Sequence, residues 1–356
     1  MKCDVEIKCV MKRFLKPTTK SQLQRILPGY KKHKSSKFDA ITPVPRHNEL
    51  NNKIVILIGC EYTAYESRGT MTRLPGCHMD IKLMEEMLIQ HYGYKSTDFI
   101  ILSDANATFL QPTRQNIMAT LTEIIHRKNI SQLVIYYSGH GTQTKDRFYH
   151  SHSKITNHEE EKTQNSNHVL RRPKAHAEQN DDYHNIVKYL KTLYVLEDCV
   201  VPCDYLEAGL ISDVSFHTQF WSKISISTKV TAIFDSCNSG SIFDLPFRYK
   251  GDNMLEDDVS MRPEKRVKPL PLVVTISGCR DDQNSVSICG TENQMQWQGC
   301  MSFAFRQVLK SHNYKYVGLN TIIDEMRVLL RNSKYTQVPQ MGLSHNIMPS
   351  SVIQLF

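Results

Sequence analysis

Along the chain, short apolar runs alternate with longer stretches in which apolar residues recur every three or four positions. Ile54–Ile58, Phe99–Leu102, Leu133–Tyr137, Val230–Phe234 and Leu272–Ile276 are mainly apolar and are bounded by polar or glycine positions. That is the pattern of central strands buried on both faces. Val352–Phe356 predicts a late edge strand. Between the runs, Ile81, Met84 and Leu88 fall at i, i+3, i+7, and Ile117, Leu121, Ile124 and Ile125 at i, i+4, i+7, i+8. Each set lies on one face of a helix. Met301, Phe305, Val308 and Leu309 repeat the spacing near the C-terminus, as do Leu319, Ile322, Ile323, Met326 and Leu330. The alternation predicts an α/β fold, a mostly parallel central sheet flanked by helices on both faces.

Three segments break this pattern. Residues 1–52 are basic, with Pro17, Pro28, Pro43 and Pro45 among lysines, and predict a loosely ordered extension. Residues 147–195 carry His150, His152, His158, His168, His176 and His184 among polar side chains and predict an insertion. Arg262, Lys265, Arg266 and Lys268, with prolines at 263, 269 and 271, mark a linker over about 251–270. The domain proper therefore runs over 53–356, with a larger part at 53–250 and a smaller one at 271–356.

Composition narrows the class of protein. Hydrophobic residues make up 40% and charged residues 22% of the 356 positions, which excludes wholesale disorder and fibrous repeats. The net charge of +8 is spread too evenly to demand nucleic acid, and no aromatic-basic platform accompanies it. No apolar run approaches the roughly 18 residues of a membrane span, so no membrane partner is expected. Asp4, Glu6 and several lysines interrupt any leader at the N-terminus, which predicts a cytoplasmic protein, with the nucleus as a second compartment. The ten cysteines are irregularly spaced; most read as small buried hydrophobes, and Cys199 and Cys203 lack a second ligand pair for zinc.

Two strand ends carry the chemistry. YSGHG places His140 just after Leu133–Tyr137, and DSC-x-SG places Cys237 just after Val230–Phe234. In a parallel sheet, reactive groups gather beyond the carboxyl ends of the strands. A free thiol, with a pKa near 8.5, is mostly protonated at neutral pH, whereas a neighbouring imidazole can take its proton. The adjacent glycines leave N–H groups to face an oxyanion, assigned to Gly141 and Cys237.

YSGHG together with DSC-x-SG resembles the caspase-like cysteine peptidases, and specifically the type I metacaspases. LIG at 57–59, GCHMD at 76–80, ILSDA at 101–105, PTRQNI at 112–117, VVPCDY at 200–205, DLP at 244–246, SGCRDDQ at 277–283 and KYTQVPQ at 334–340 extend the resemblance in order. It implies a cysteine endopeptidase cleaving after Arg or Lys, with Cys237 as nucleophile, His140 as general base and a thioester intermediate. The basic side chain would be held by Asp80 and Asp235 with Ser138 and Cys77 beside them. An Asp235 carboxylate facing the thiol would raise its pKa; facing a guanidinium, it would form a bidentate pair. The resemblance further implies calcium bound by Asp213, Asp244 and Glu197. Val214 stands where a second acid is usual, and Glu197-Asp198 reverses the usual order, so binding weaker than the family's is expected. Self-processing is expected within Lys145–Lys191 or Arg262–Lys268, and the expected partners are protein or peptide substrates of a monomer. Two readings stay open. Asp80 can instead cap the helix that begins near it, and the chain can be a catalytically impaired homologue that acts as a regulator or scaffold, as Val214 and Asn238 suggest.

Overall fold

The structure is a computed structural model that describes residues 52–66, 73–145, 196–236, 245–252, 254–257, 270–278, 287–289 and 297–356. The five expected strands form as β1 (Lys53–Gly59), β2 (Phe99–Ser103), β3 (Gln132–Ser138), β7 (Lys229–Asp235) and β10 (Leu272–Ser277). They lie side by side in the order β2-β1-β3-β7-β10, all parallel. β13 (Gln340–Leu343), β8 (Phe247–Gly251) and β9 (Met254–Asp257) continue the sheet antiparallel. Gly251 and Met254–Asp257, inside the stretch expected to be a linker, thus belong to the sheet.

Val352–Phe356 is not a strand, contrary to the expectation; Val352 makes only an isolated bridge to Gly318. The last two apolar side chains serve as a plug instead. Leu355 and Phe356 are 2% and 1% exposed, and the Leu355 carbonyl accepts Gln132 Nε2 at 2.8 Å and Thr231 Oγ1 at 2.6 Å. Side-chain donors from the sheet thus take the role that a ladder partner would have had.

Alternation along the strands divides the interior into two cores. Val55, Leu57, Val134, Tyr136, Ile233 and Ile276 pack against α1 (Cys77–Tyr92), α4 (Cys300–Ser311) and α5 (Leu319–Asn332). Ile56, Ile58, Ile135, Tyr137, Ala232 and Phe234 face the other way, toward α2 (Arg114–His126) and α3 (Asp213–Gln219). A small antiparallel sheet of β4 (Gly141–Lys145), β5 (Leu196–Val200) and β6 (Ile211–Ser212) stands beyond the end of β3. Its strands are short and polar, which leaves little period-two signal in the sequence. The chain passes from β1 to β2 on one side and then to β3 on the other, so the switch in strand direction falls between β1 and β3. That is where open α/β sheets place their ligands.

Candidate active site

β3 and β7 are adjacent and parallel, with Ser138 opposite Asp235. The pairing continues one step past the strands, since the Gly139 N–H donates to the Asp235 carbonyl at 3.3 Å. His140 therefore leaves the sheet beside the segment that follows Asp235. Ser236 is the last residue described there, and Cys237 and Asp244 lie outside the described residues. His140 is partly exposed, and its ring lies 4.9 Å from that of Tyr62, tilted by 35°.

Gly141 opens β4 opposite Val200. The Val201 N–H donates to the His140 carbonyl at 3.2 Å, so 140 and 201 form a hydrogen-bonded pair of the antiparallel ladder. Such pairs alternate with non-bonded ones; at Gly141 the N–H consequently points away from β5, toward the end of the main sheet.

Asp80 and Asp235 converge on one backbone position from different elements. Asp80 sits in the first turn of α1 and is 1% exposed. It does not cap that helix: the N-cap, Gly76, has no side-chain cap bond, and the Asp80 carboxylate instead accepts Ser138 Oγ at 3.0 Å and the Gly299 N–H at 2.9 Å. Asp235 is 4% exposed and accepts the Ser302 N–H at 2.9 Å and Ser302 Oγ at 2.6 Å. Tyr136 is 2.5 Å from the same hydroxyl; because Ser302 Oγ donates to the carboxylate, the phenol donates to Ser302. A Cβ at Gly299 would lie 2.0 Å from Asp235 Oδ2 and 2.9 Å from Asp80 Oδ2. Both acids therefore press against the backbone of β12 (Trp297–Gly299), the antiparallel partner of β11 (Ser287–Cys289), and β12 covers them. Burial, and next the charge of Asp235, pushes the Asp80 carboxyl well above its ordinary value, while the Gly299 N–H and the Arg306 guanidinium oppose the shift.

Cys77 is buried beside Asp80 and Ser138, and burial pushes its thiol well above the usual range. The same cause raises Cys60, Cys203 and Cys300, and takes Cys199 to about 12. All five remain thiols at neutral pH, as small hydrophobes or half-buried packing groups, and none has the character of an activated nucleophile.

Asp213 and Glu197 lie near Cys199, as does Asp198. Asp213 Oδ1 accepts the Val214 N–H at 2.5 Å, and Asp198 accepts Gln143 Nε2 at 2.7 Å. Among the described residues, no group of three or more His, Cys, Asp or Glu side chains is placed to hold a metal ion. These residues alone do not make the oxygen-rich shell of calcium.

The residues that sequence reasoning missed are the partners: Gly299, Ser302, Tyr62 and Tyr137. They are brought in from up to 219 positions away, and local pattern carries no signal at that range.

Known proteins are similar to this chain over most of its length. Residues 53–197 match the metacaspase, peptidase C14 domain, and residues 174–347 match the caspase domain. Metacaspase-1 of Yarrowia lipolytica is 27% identical over 339 residues, covering 82% of this chain and 62% of that protein. Metacaspase-1 of Schizosaccharomyces pombe is 28% identical over 338 residues, covering 82% and 67%. That of Kluyveromyces lactis is 29% identical over 339 residues, covering 82% and 66%. The chain thus spans about two thirds or less of the length of these relatives. The two domain matches, with the mostly parallel mixed sheet, define a caspase-like domain. Within that class of domain, the chain is similar to the metacaspases, over residues 53–197 by domain match and over 82% of its length to the relatives above. No helix among the described residues is long and apolar enough to cross a membrane.

Proposed function

We propose that the protein is an endopeptidase that cleaves after Arg or Lys by means of a Cys237–His140 dyad. The observation that carries this reading is the β3–β7 register: with Ser138 opposite Asp235, His140 and Cys237 each follow their paired residue by two positions on neighbouring strands. His140 takes the Cys237 proton and the thiolate attacks the scissile carbonyl. The oxyanion is held by the N–H groups of Gly141 and Cys237. The imidazolium then returns its proton to the leaving amine, and water, deprotonated by the same imidazole, hydrolyses the thioester.

The acid pair supports a cationic substrate side chain. Two carboxylates, both buried, share their site with the Gly299 and Ser302 N–H groups, and a substrate guanidinium would relieve their mutual repulsion with charge-assisted hydrogen bonds. An aspartate side chain would meet repulsion there. Since β12 covers the pair, entry of the cation requires this strand to shift. Arg, Lys and Asp peptidyl-coumarins, assayed on wild type and Cys237→Ala, test the reading. Turnover of Arg and Lys but not Asp substrates, abolished in the variant, is expected; equal turnover by the two proteins would defeat it. For calcium, with Asp213, Glu197 and Asp244 as ligands in this reading, titration of the same assay is the test. A rate unchanged by chelator removes calcium, and no step above passes through it.

A further inference from the structure

The backbone of His140 is held in an unusual way. In the hydrogen-bonded pair of 140 and 201, a regular ladder would join the His140 N–H directly to the Val201 carbonyl. Here the Tyr62 hydroxyl stands between them: it accepts the His140 N–H at 2.9 Å and donates to the Val201 carbonyl at 2.7 Å. The Tyr137 hydroxyl, 3.1 Å from that of Tyr62, donates to the His140 carbonyl at 2.7 Å. Two buried phenols thus hold both polar groups of one peptide residue, and the Tyr62 ring also lies against the imidazole. Gly139 makes room for them. A Cβ there would lie 2.5 Å from the Tyr137 oxygen and 3.0 Å from that of Tyr62.

Tyr62 is itself held in place. Its φ of 58° is left-handed, a conformation that an aromatic residue rarely adopts without support. The support is Asp104, whose two carboxylate oxygens accept the N–H groups of Glu61 at 2.9 Å and Tyr62 at 2.7 Å. His78 Nε2 lies 2.6 Å from Asp104 Oδ1, and Glu61, bonded to Arg73 and to the Gly76 N–H, lies on the far side of the His78 ring. Burial pushes the Tyr62 phenol well above its ordinary range, so it stays a donor.

We infer that Tyr62 is a positioning residue for the reaction, a hydroxyl inserted into the β4–β5 ladder that sets the height and tilt of the His140 imidazole, with Tyr137 completing the grip and Asp104 fixing Tyr62. This inference rests on His140 acting as the base. Both tyrosines are buried and act through the His140 backbone.

The experiment compares wild type with Tyr62→Phe and Tyr137→Phe, each normalised by titration of reactive Cys237. It reads kcat and KM on an Arg-coumarin peptide, the pH profile of Cys237 alkylation by iodoacetamide, and Tm. Tyr62→Phe is expected to lower kcat at least tenfold, to leave KM within twofold, and to move the alkylation midpoint up toward that of a free thiol, because the displaced imidazole no longer supports the thiolate. A merely structural phenol would lower Tm and leave kcat per titrated site and the alkylation midpoint unchanged. A kcat reduced less than threefold overturns the inference. Should Tyr62→Phe fail to fold, Tyr137→Phe is judged by the same threshold. If wild type itself neither turns over substrate nor shows a reactive Cys237, it is the proposed function that fails. If wild type is active and needs His140 while both phenylalanine variants match it, only the inference fails.

Discussion

Substituting Gly299 by alanine tests the geometry of the acid pair. The φ of −67° at Gly299 suits alanine, so the change carries no backbone strain and acts through space alone. The new methyl would lie 2.0 Å from Asp235 Oδ2 and 2.8 Å from its Cγ, whereas contact between packed heavy atoms begins at roughly 3.5 Å. The carboxylate or β12 must move by about 1.5 Å. Asp235 is held by the Ser302 N–H and Oγ, and a hydrogen bond to a charged group contributes about 1.5–3 kcal/mol. Loss of one such bond, with an overpacking cost of about 1–3 kcal/mol, gives a destabilisation of about 3 kcal/mol. For a domain of this size that is a fall in Tm of roughly 6–12 °C. The same displacement withdraws a carboxylate from the substrate cation; a loss of about 2 kcal/mol in the transition state is roughly a thirtyfold fall in kcat/KM. Differential scanning calorimetry and Arg-coumarin kinetics on wild type and Gly299→Ala measure both. A neutral citrulline substrate should lose far less. A variant with Tm within 2 °C and kcat/KM within twofold of wild type would refute the convergence of Asp80 and Asp235 on this glycine.

Other outcomes follow from single residues. The Asp80 carboxyl is raised above 3.8 by burial and by Asp235, so the folded state binds its proton more tightly than the unfolded state, and ionisation costs stability as pH rises from about the ordinary value through the raised one. Asp80→Asn should therefore gain Tm relative to wild type as pH increases above about 4, while losing selectivity for Arg over citrulline; a Tm difference independent of pH would contradict the shift. Gly139→Ala should lower kcat by pushing on both phenols, since its Cβ would lie 2.5 Å from the Tyr137 oxygen; crystals of an active variant with unmoved tyrosines would count against the grip on His140. Phe356→Ala removes a side chain packed against Tyr92 and Phe305 and should cost about 3–5 kcal/mol in urea unfolding. A cost below about 1 kcal/mol would disprove the C-terminal plug, since surface substitutions stay near that size.

The parallel half of the sheet was legible because strands covered on both faces must be almost wholly apolar, and β1, β2, β3, β7 and β10 meet that condition. The antiparallel half was not. β13 is four residues of QMGL, and in β8 Arg248 and Lys250 interrupt the apolar positions. Val352–Phe356 misleads for the opposite reason: in a segment apolar enough for a strand, Leu355 and Phe356 turn into the core as an end plug while Val352 stays exposed. At the site, the reactive residue types could be read from two motifs. What fixes them could not: Asp104 reaches back 42 positions to Tyr62, and Tyr62 reaches 78 positions to His140. His78, between Glu61 and Asp104, carries no sign of that place in its local sequence.

The central claim is that Cys237, served by His140, attacks the carbonyl that follows a basic residue. The most direct measurement is a peptide map after labelling with an irreversible thiol-directed inhibitor that carries Arg at the recognition position. The account predicts one adduct, on Cys237, absent with an Asp-bearing inhibitor and slowed at least a hundredfold in His140→Ala. An adduct on Cys60, Cys77, Cys199, Cys203 or Cys300 in place of Cys237, or no adduct at all on folded protein, would contradict it and leave a regulator or scaffold in place of an enzyme.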